Sequence, residues 1–592
     1  MDRRYYEEEL RYLREAGRAF AEAHPEEASH LNIDSVTDRD PYVERLFEGF
    51  AFLTGRIHER LDDELPEYTE GVLQLLYPHL LKPVPALSIA QLTPKPGLVQ
   101  ETTTLERGIG VESDPIGPES VRCRFQTTAP VHLHPLKLKT ADLSWAPDET
   151  SSVRLRVELD RGVNLEDLDL ENRPLRLYFH ADASVASAMH LFCTRHIRGI
   201  SLDAVDGSGA IDLRGDEWVT PAGLERSEGM LPYGPRSFSG FRLLQEYLSF
   251  RRKFWFVDVH GIHQLDAGEA DAFDLTLHFD RPYPEDKRFK ADNIRLHCAP
   301  IVNLFEMDAE PIRVEGLVPE YRVCPSARHK RSIQTYDVTR VESIEDRTGL
   351  RHDYTPYYTF RHHTSPIDMQ RDDGTEPRHF TTSRRTGPTG MPAVYLSLGG
   401  TELESLSNVP AETLSVEVRC TNGNLPREIL QEGMISKLAQ NVPQIVEPIN
   451  LTRPTLIREV PDRKSFYWEL LSHLSFNFMS VATREALVGI LSLYDWTGTD
   501  ANRRRLSGVR SVDWEPKEVM VRGSILRGVE VQLEIRQGYF ADEGDLCLFG
   551  DVVSTFFSLY ATMNSFVHVK LEVTPSGRIY HWRPDQGRQP VV

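Results

Sequence analysis

The segment CAPIVNLFEMDAEPIRVEG carries Glu306, Asp308 and Glu310 at every second position, with His297 and Cys298 beside them. On a β-strand alternate residues share one face, so three carboxylates project together. Cation binding and acid–base catalysis are the chemistries such a row suggests. A hard cation such as calcium takes about 6–8 oxygen ligands from a loop that wraps it around a turn glycine. Here Pro311 follows Glu310 directly and no glycine lies among the acids. The spacing therefore predicts an exposed strand face. His297 and Cys298 are neighbours, so on a strand they point to opposite faces and do not pair with each other.

A second cluster, FRHHTSPIDMQRDDG, holds His362, His363, Asp368, Asp372 and Asp373, with His352 and Asp353 ten residues upstream. This composition suggests a metal-dependent hydrolase. Such ligands need rigid placement, and these lie in a long polar run without helical His spacing. A surface loop is the plainer reading. In LLSHLSF, Ser472 and His473 are adjacent on a predicted helix and diverge by about 100°, so they do not form a nucleophile–base pair. The chain contains no G-x-x-x-x-G-K-[ST] loop, no G-x-G-x-x-G and no G-x-S-x-G nucleophile elbow. No catalytic, cofactor-binding or metal-binding residue is assigned, and no cofactor is expected.

Composition narrows the classes further. The chain has 592 residues, of which 40% are hydrophobic and 27% charged, as in ordinary globular proteins. At about 150 residues per domain, roughly four domains are expected. No apolar run reaches the ~18 residues of a membrane span. The start, MDRRYYEEELRYLREAG, lacks the apolar core of a secretory signal, so a cytoplasmic protein is expected. The net charge of −21 argues against a nucleic-acid partner, whose phosphates require cationic surface. Three short basic clusters, at 251–253, 328–331 and 503–505, read as solvated faces or protein contacts, with an anionic ligand as the alternative. The six cysteines lack metal-ligand spacing and read as buried reduced thiols.

The elements that would position these residues follow from periodicity. Tyr6, Leu10, Leu13, Gly17 and Phe20 recur at 4-3-4-3 spacing, a narrow seam suited to a partner helix. After Asp40-Pro41, Val43, Leu46, Phe47, Phe50, Leu53, Ile57 and Leu61 form one apolar stripe. Such a stripe is usually core, although one face is free to pack on another chain. From Leu87 onward the period becomes two, as in SVRLRVEL and FDLTLHFD, which read as half-buried antiparallel strands with a helix near 185–193. Near the C-terminus, SFYWELLSHLSFNFMS, EALVGILSLYDW and VVSTFFSLYATMNSF read as helices, and VEVQLEIR and VHVKLEV as strands. The expected fold is multidomain α+β: a helical segment 1–85, a β-rich domain 86–312 with an inserted helix, a β-rich domain 313–450 with a polar loop 346–392, and a mixed α/β domain 451–592.

Several apolar, aromatic segments carry one embedded Asn or Glu: LLQEYLSFRRKFWF, PIVNLFEMDAEPI, CTNGNLP, INLTRP, YWELLSHLSFNF and FFSLYATMNSF. Buried Asn side chains fix backbone geometry through hydrogen bonds, which suits architecture better than turnover. With DPYVERLFEGFAFLTGRIHERLDDELPEYTEGVLQLLYPHLLKPVP, these segments run in order across nearly the whole chain. They resemble the TssF family (also VasA or ImpG) of the bacterial type VI secretion baseplate. At Arg251-Arg252 the family typically has a proline and an acidic residue.

The resemblance implies a non-enzymatic scaffold, similar to a wedge protein of contractile phage baseplates. Two TssF copies and one TssG would form a wedge, joined by TssK and TssE. Six wedges would surround the VgrG hub, dock on the membrane complex without inserting, and support sheath assembly. Assembly residues are expected among Tyr6, Leu10, Leu13, Phe20, Phe47, Phe50, Asn303, Phe305, Glu306, Asn422, Trp468, Asn477 and Asn564. The competing readings are a metal-dependent hydrolase centred on His362 and His363, which predicts a stoichiometric metal, and a carbohydrate-binding β protein, which predicts flat aromatics exposed on one sheet.

Overall fold

The computed structural model describes residues 6, 10–13, 41–62, 66–234, 237–268, 270–314, 318, 320–346, 348–357, 378–386, 391–399, 412–440, 442–461, 466–474, 481–521, 524–562 and 565–587. Phe20, His362, His363, Asn477 and Asn564 lie outside them, as does most of the polar segment 346–392. The chain divides into two units, Met1–Leu76 with Pro461–Leu474, and Tyr77–Val460 with Ser475–Val592.

The first unit is helical. Its helices are Pro41–Asp62, Pro66–Leu76 and Phe466–Leu474, and the last two pack together. Leu73, Phe466 and Leu470 are fully buried there. The stripe on Pro41–Asp62 behaves differently from a core stripe. Leu46, Phe50 and Leu53 are 60%, 54% and 59% exposed, while Ala51 is buried. Tyr6, Leu10, Leu13 and Phe47 are half-buried.

The second unit is built from sheets. A six-stranded sheet has the order Ile435–Leu438, Gly110–Ile116, Val121–Thr127, Cys298–Val302, Leu87–Pro94 and Val446–Asn450. A core of Leu92, Val111, Phe125, Leu133, Ile301 and Ile435 lies on its inner face. A five-stranded antiparallel sheet contains Ser151–Leu159 and Ala272–Phe279 paired in register, with Leu155 opposite Leu275 and Val153 opposite Leu277. Val153, Leu155, Val157 and Leu159 are buried on one face, as their alternation predicts. The inserted helix spans Ala183–Arg195. An eight-stranded sheet joins Phe305–Asp308, Glu412–Thr421, Gln334–Glu345, Arg351–Pro356, Arg378–Thr386, Pro392–Gly399 and Tyr321–Arg322, with Ile312–Val314 also on Glu412–Thr421.

The sheets do not follow linear divisions at residues 312 and 450. The six-stranded sheet takes strands from residues 87–302 and from 435–450. The eight-stranded sheet begins at Phe305. Pairing between distant segments creates this arrangement, and the period-two pattern carries no information on partners.

The C-terminal sheet contains Val509–Val521, Ser524–Arg536, Ser565–Thr574 and Arg578–His581. Ser524–Arg536 and Ser565–Thr574 run parallel, connected through the helix Glu543–Tyr560. Parallel neighbours need such a crossover. That helix buries Leu546, Phe549, Val552, Val553, Phe556 and Phe557, and packs on Ala183–Arg195 and Ser239–Ser249. A helix apolar on all sides belongs inside, and this one does.

On the same sheet Glu530 sits opposite His568 and is nearly buried. His568 Nδ1 lies 2.9 Å from its Oε2, and Lys517 and Lys570 also donate to it. Burial alone would push this carboxyl up, but the hydrogen bonds from Lys517, Lys570 and His568 outweigh it and hold Glu530 at about 2. Its folded value lies below its ordinary 4.5, so the stabilisation is complete above pH 4.5 and is lost as pH falls through about 2. Denaturant midpoints measured across that window are expected to fall with acidification, and Glu530→Gln is expected to flatten the slope. An unchanged slope in the variant contradicts the assignment.

Candidate functional site

The carboxylate row lies where the strand reading placed it. Phe305–Asp308 ends the eight-stranded sheet and, among the described residues, pairs only with Glu412–Thr421. Phe305 and Met307 face its core, whereas Glu306 and Asp308 face solvent. Glu306 is 75% exposed and pairs with Arg419 at 3.5 Å. Glu310 lies beyond the strand and accepts a hydrogen bond from Ala327 N at 2.7 Å. The three acids do not converge.

Neither do the nucleophile candidates. His297 and Cys298 are buried, and burial holds the imidazole down at about 4 and pushes the thiol up. Cys298 Sγ donates to Leu296 O at 3.4 Å. Ser472 Oγ donates to Trp468 O at 2.8 Å, the helical back-bond of a serine. Trp468 itself is 44% exposed. Among the described residues no group of three or more His, Cys, Asp or Glu side chains could hold a metal ion.

The embedded asparagines do converge. The chain leaves the six-stranded sheet at Val302 and enters the eight-stranded sheet at Phe305. It leaves the eight-stranded sheet at Thr421 and returns to the other at Ile435. Asn303 and Asn422 occupy these two crossings, and both are fully buried. Asn303 Nδ2 donates to Arg124 O at 2.7 Å and to Asn422 Oδ1 at 2.9 Å. Its Oδ1 accepts from Thr421 Oγ1 and from Asn422 N, both at 2.7 Å. Asn422 Oδ1 also accepts from Arg124 N at 3.1 Å, and its Nδ2 donates to Ser332 O at 3.1 Å. The Arg124 guanidinium lies over the Phe305 ring, 5.5 Å from its centroid. Gly423 follows with φ +58°, and a Cβ there would meet Gln334 Nε2 at 2.6 Å. Glycine suits the left-handed backbone turn at this point, which strains other residues.

Asn303 and Asn422 thus weld the two sheets, with every amide group partnered. A third buried asparagine, Asn450, accepts from Ile435 N at 2.8 Å and donates to Gln431 O and Thr452 O. Ser88 Oγ donates to Thr452 O at 2.6 Å, and Thr452 Oγ1 accepts from Ile89 N. These polar nodes fix geometry. Hydrogen-bonded on all sides, they present no group to a substrate.

Two further clusters were not visible as sites in the sequence. Glu246 and Lys253 form a wholly buried ion pair, and Glu246 Oε1 accepts from Met230 N at 2.7 Å and Leu231 N at 2.9 Å. Arg251 and Arg505, from two of the basic clusters, both reach Asp545, at 2.9 Å and 2.8 Å. A sequence signal existed: Asp545 lies in a helix that is apolar on all sides, and a buried carboxylate there demands a cation.

Among the described residues no helix is long and apolar enough to cross a membrane. The family model for the type VI secretion system protein TssF matches residues 3–589. The type VI secretion system component TssF1 of Pseudomonas aeruginosa is 28% identical over 99% of this chain and 98% of its own length. A chain of a TssK-TssF-TssG baseplate subcomplex solved by cryo-electron microscopy superposes with TM-score 0.75 at 33% identity, covering 92% of this chain and all of that one. A chain of the type VI secretion baseplate complex gives TM-score 0.63 at 31% identity, with both chains fully covered. With sequence and fold in agreement along its whole length, the chain belongs to the TssF family of type VI secretion proteins.

Proposed function

We propose that this protein is a structural subunit of the type VI secretion baseplate, two copies of it forming a wedge with one TssG that joins TssK and TssE around the VgrG hub. In this reading it carries no turnover. It docks with the baseplate on the membrane complex and supports sheath assembly. The observation that carries the reading is the helix Pro41–Asp62, which turns Leu46, Phe50 and Leu53 outward along one stripe. Apolar side chains at i, i+4 and i+7 form a face that a second helix covers. The buried asparagine welds supply the complementary requirement, a rigid body that transmits force.

The test is co-purification. Leu46→Asp, Phe50→Asp and Leu53→Asp together are expected to leave the far-ultraviolet circular dichroism of the chain intact, because exposed substitutions change stability by about 0.5 kcal/mol or less each. They are expected to abolish recovery with TssG, as Leu10→Asp with Leu13→Asp should. A folded variant that still recovers TssG at the parental ratio contradicts the assignment of this face.

A further inference from the structure

A cleft of about 620 Å³ in the second unit is lined by six arginines, Arg251, Arg252, Arg427, Arg453, Arg458 and Arg505, and by three carboxylates, Glu432, Asp542 and Asp545. Two of the carboxylates are already engaged. Asp545 is held by Arg251 and Arg505, and Asp542 by Lys287 at 3.1 Å and Ser187 Oγ at 2.9 Å. The other four arginines make no ion pair with a carboxylate among the described residues, and neither does Glu432. Arg252 only lies over the Trp255 ring, 5.8 Å from its centroid. Arg453 donates to Arg427 O at 2.7 Å, while its Nε is buried without an acceptor. Burial and the neighbouring Arg453 charge pull the Arg427 guanidinium down. The first turn of the helix Ala183–Arg195 forms part of the same wall and adds the positive end of its dipole.

Half-buried guanidinium groups crowded together without ion-pair partners are costly. The arrangement is stable once anions enter. We infer that this cleft is a docking site for a carboxylate-rich, extended segment of another protein chain. Planar guanidinium forks match carboxylates two bonds at a time. The unpaired arginines come from three separate segments, at 252, 427 and 453–458, so they can engage several side chains along a peptide. The volume suits a ligand of several groups better than a lone oxyanion. The inference stands on these residues and does not depend on the assembly reading above.

The test uses the full chain and a fluorescently labelled decamer of glutamate, with a decamer of glutamine as control. Saturable binding of the glutamate peptide is expected, weakened as ionic strength rises. Arg252→Gln with Arg458→Gln is expected to weaken it at least tenfold. Arg458→Gln alone, whose side chain makes no hydrogen bond among the described residues, is expected to weaken it at least threefold in a chain whose circular dichroism is unchanged. Absence of saturable binding, equal binding of the glutamine peptide, or a folded double variant within threefold of the parent overturns the inference. So does displacement of the peptide by an equal concentration of inorganic phosphate.

Discussion

Asn303→Ala is expected to lower the stability of the sheet junction by about 3–5 kcal/mol, the cost of stranding several buried partners at about 1–3 kcal/mol each. The truncation removes all four side-chain hydrogen bonds. It leaves Arg124 O without its amide donor, Asn422 Oδ1 short of one donor, and Thr421 Oγ1 and Asn422 N without their acceptor. All four groups sit where the chain passes between two sheets, so the loss acts on both. Asn303→Asp also fails: it keeps the acceptor but loses the donors and places a negative charge against two carbonyl oxygens. The comparison within the same signature is Glu306→Gln, three residues on. That side chain is 75% exposed and its ion pair is solvated, so the expected change is below about 0.5 kcal/mol. Chemical denaturation followed by fluorescence distinguishes the two. Equal, small shifts for both variants would mean the junction is not what holds the sheets.

This contrast shows what the sequence makes legible. Alternation in SVRLRVEL identified the buried face of Ser151–Leu159, because a strand writes its two faces into every second residue. The inserted helix read near 185–193 lies within Ala183–Arg195, whereas the helix read over VVSTFFSLYATMNSF spans Glu543–Tyr560 and the strand Ser565–Thr574 begins inside that reading. Partners were not legible. Leu87–Pro94 pairs with Cys298–Val302 and with Val446–Asn450, and nothing local specifies segments so far away. The embedded asparagines were visible as unusual, since a polar amide inside an apolar run must be satisfied. That Asn303 and Asn422 satisfy each other required the fold. Of the basic clusters, Arg328, Lys330, Arg331, Arg503 and Arg504 are exposed as a solvated face requires, whereas Arg251, Lys253 and Arg505 are drawn inward to carboxylates. Arg251 and Arg505 lie more than 250 positions apart in sequence, and only Asp545 brings them together.

The stripe on Pro41–Asp62 and the ion pair of Glu246 with Lys253 are opposite violations of the same rule. The first leaves apolar surface in water, and the second takes two charges out of it. The exposed stripe is what the proposed partner helix would cover, whereas a buried pair has to be explained within the chain. Lys253 is 2% exposed and its ammonium lies against the Phe254 ring, 5.0 Å from the centroid. Arg242 Nε stands 3.9 Å from Glu246, too far for a hydrogen bond. Removing one charge therefore leaves the other with no full counter-ion. Lys253→Met and Glu246→Gln are each expected to cost about 3–5 kcal/mol.

The double variant separates a pair from two independent contacts. Glutamine at 246 still offers an oxygen to Met230 N and Leu231 N, and methionine at 253 fills the same volume without charge. Glu246→Gln with Lys253→Met is therefore expected to be more stable than either single variant, with a coupling of about 2 kcal/mol or more in the double-mutant cycle. Denaturant midpoints of the four proteins give the coupling directly. Additive losses would show that the two charges act separately, and that the Met230–Leu231 backbone is what Glu246 holds. A positive coupling places the pair where the segment LLQEYLSFRRKFWF crosses from the helix Ser239–Ser249 into the strand Phe256–Val259, one buried charge fixing the position of the other.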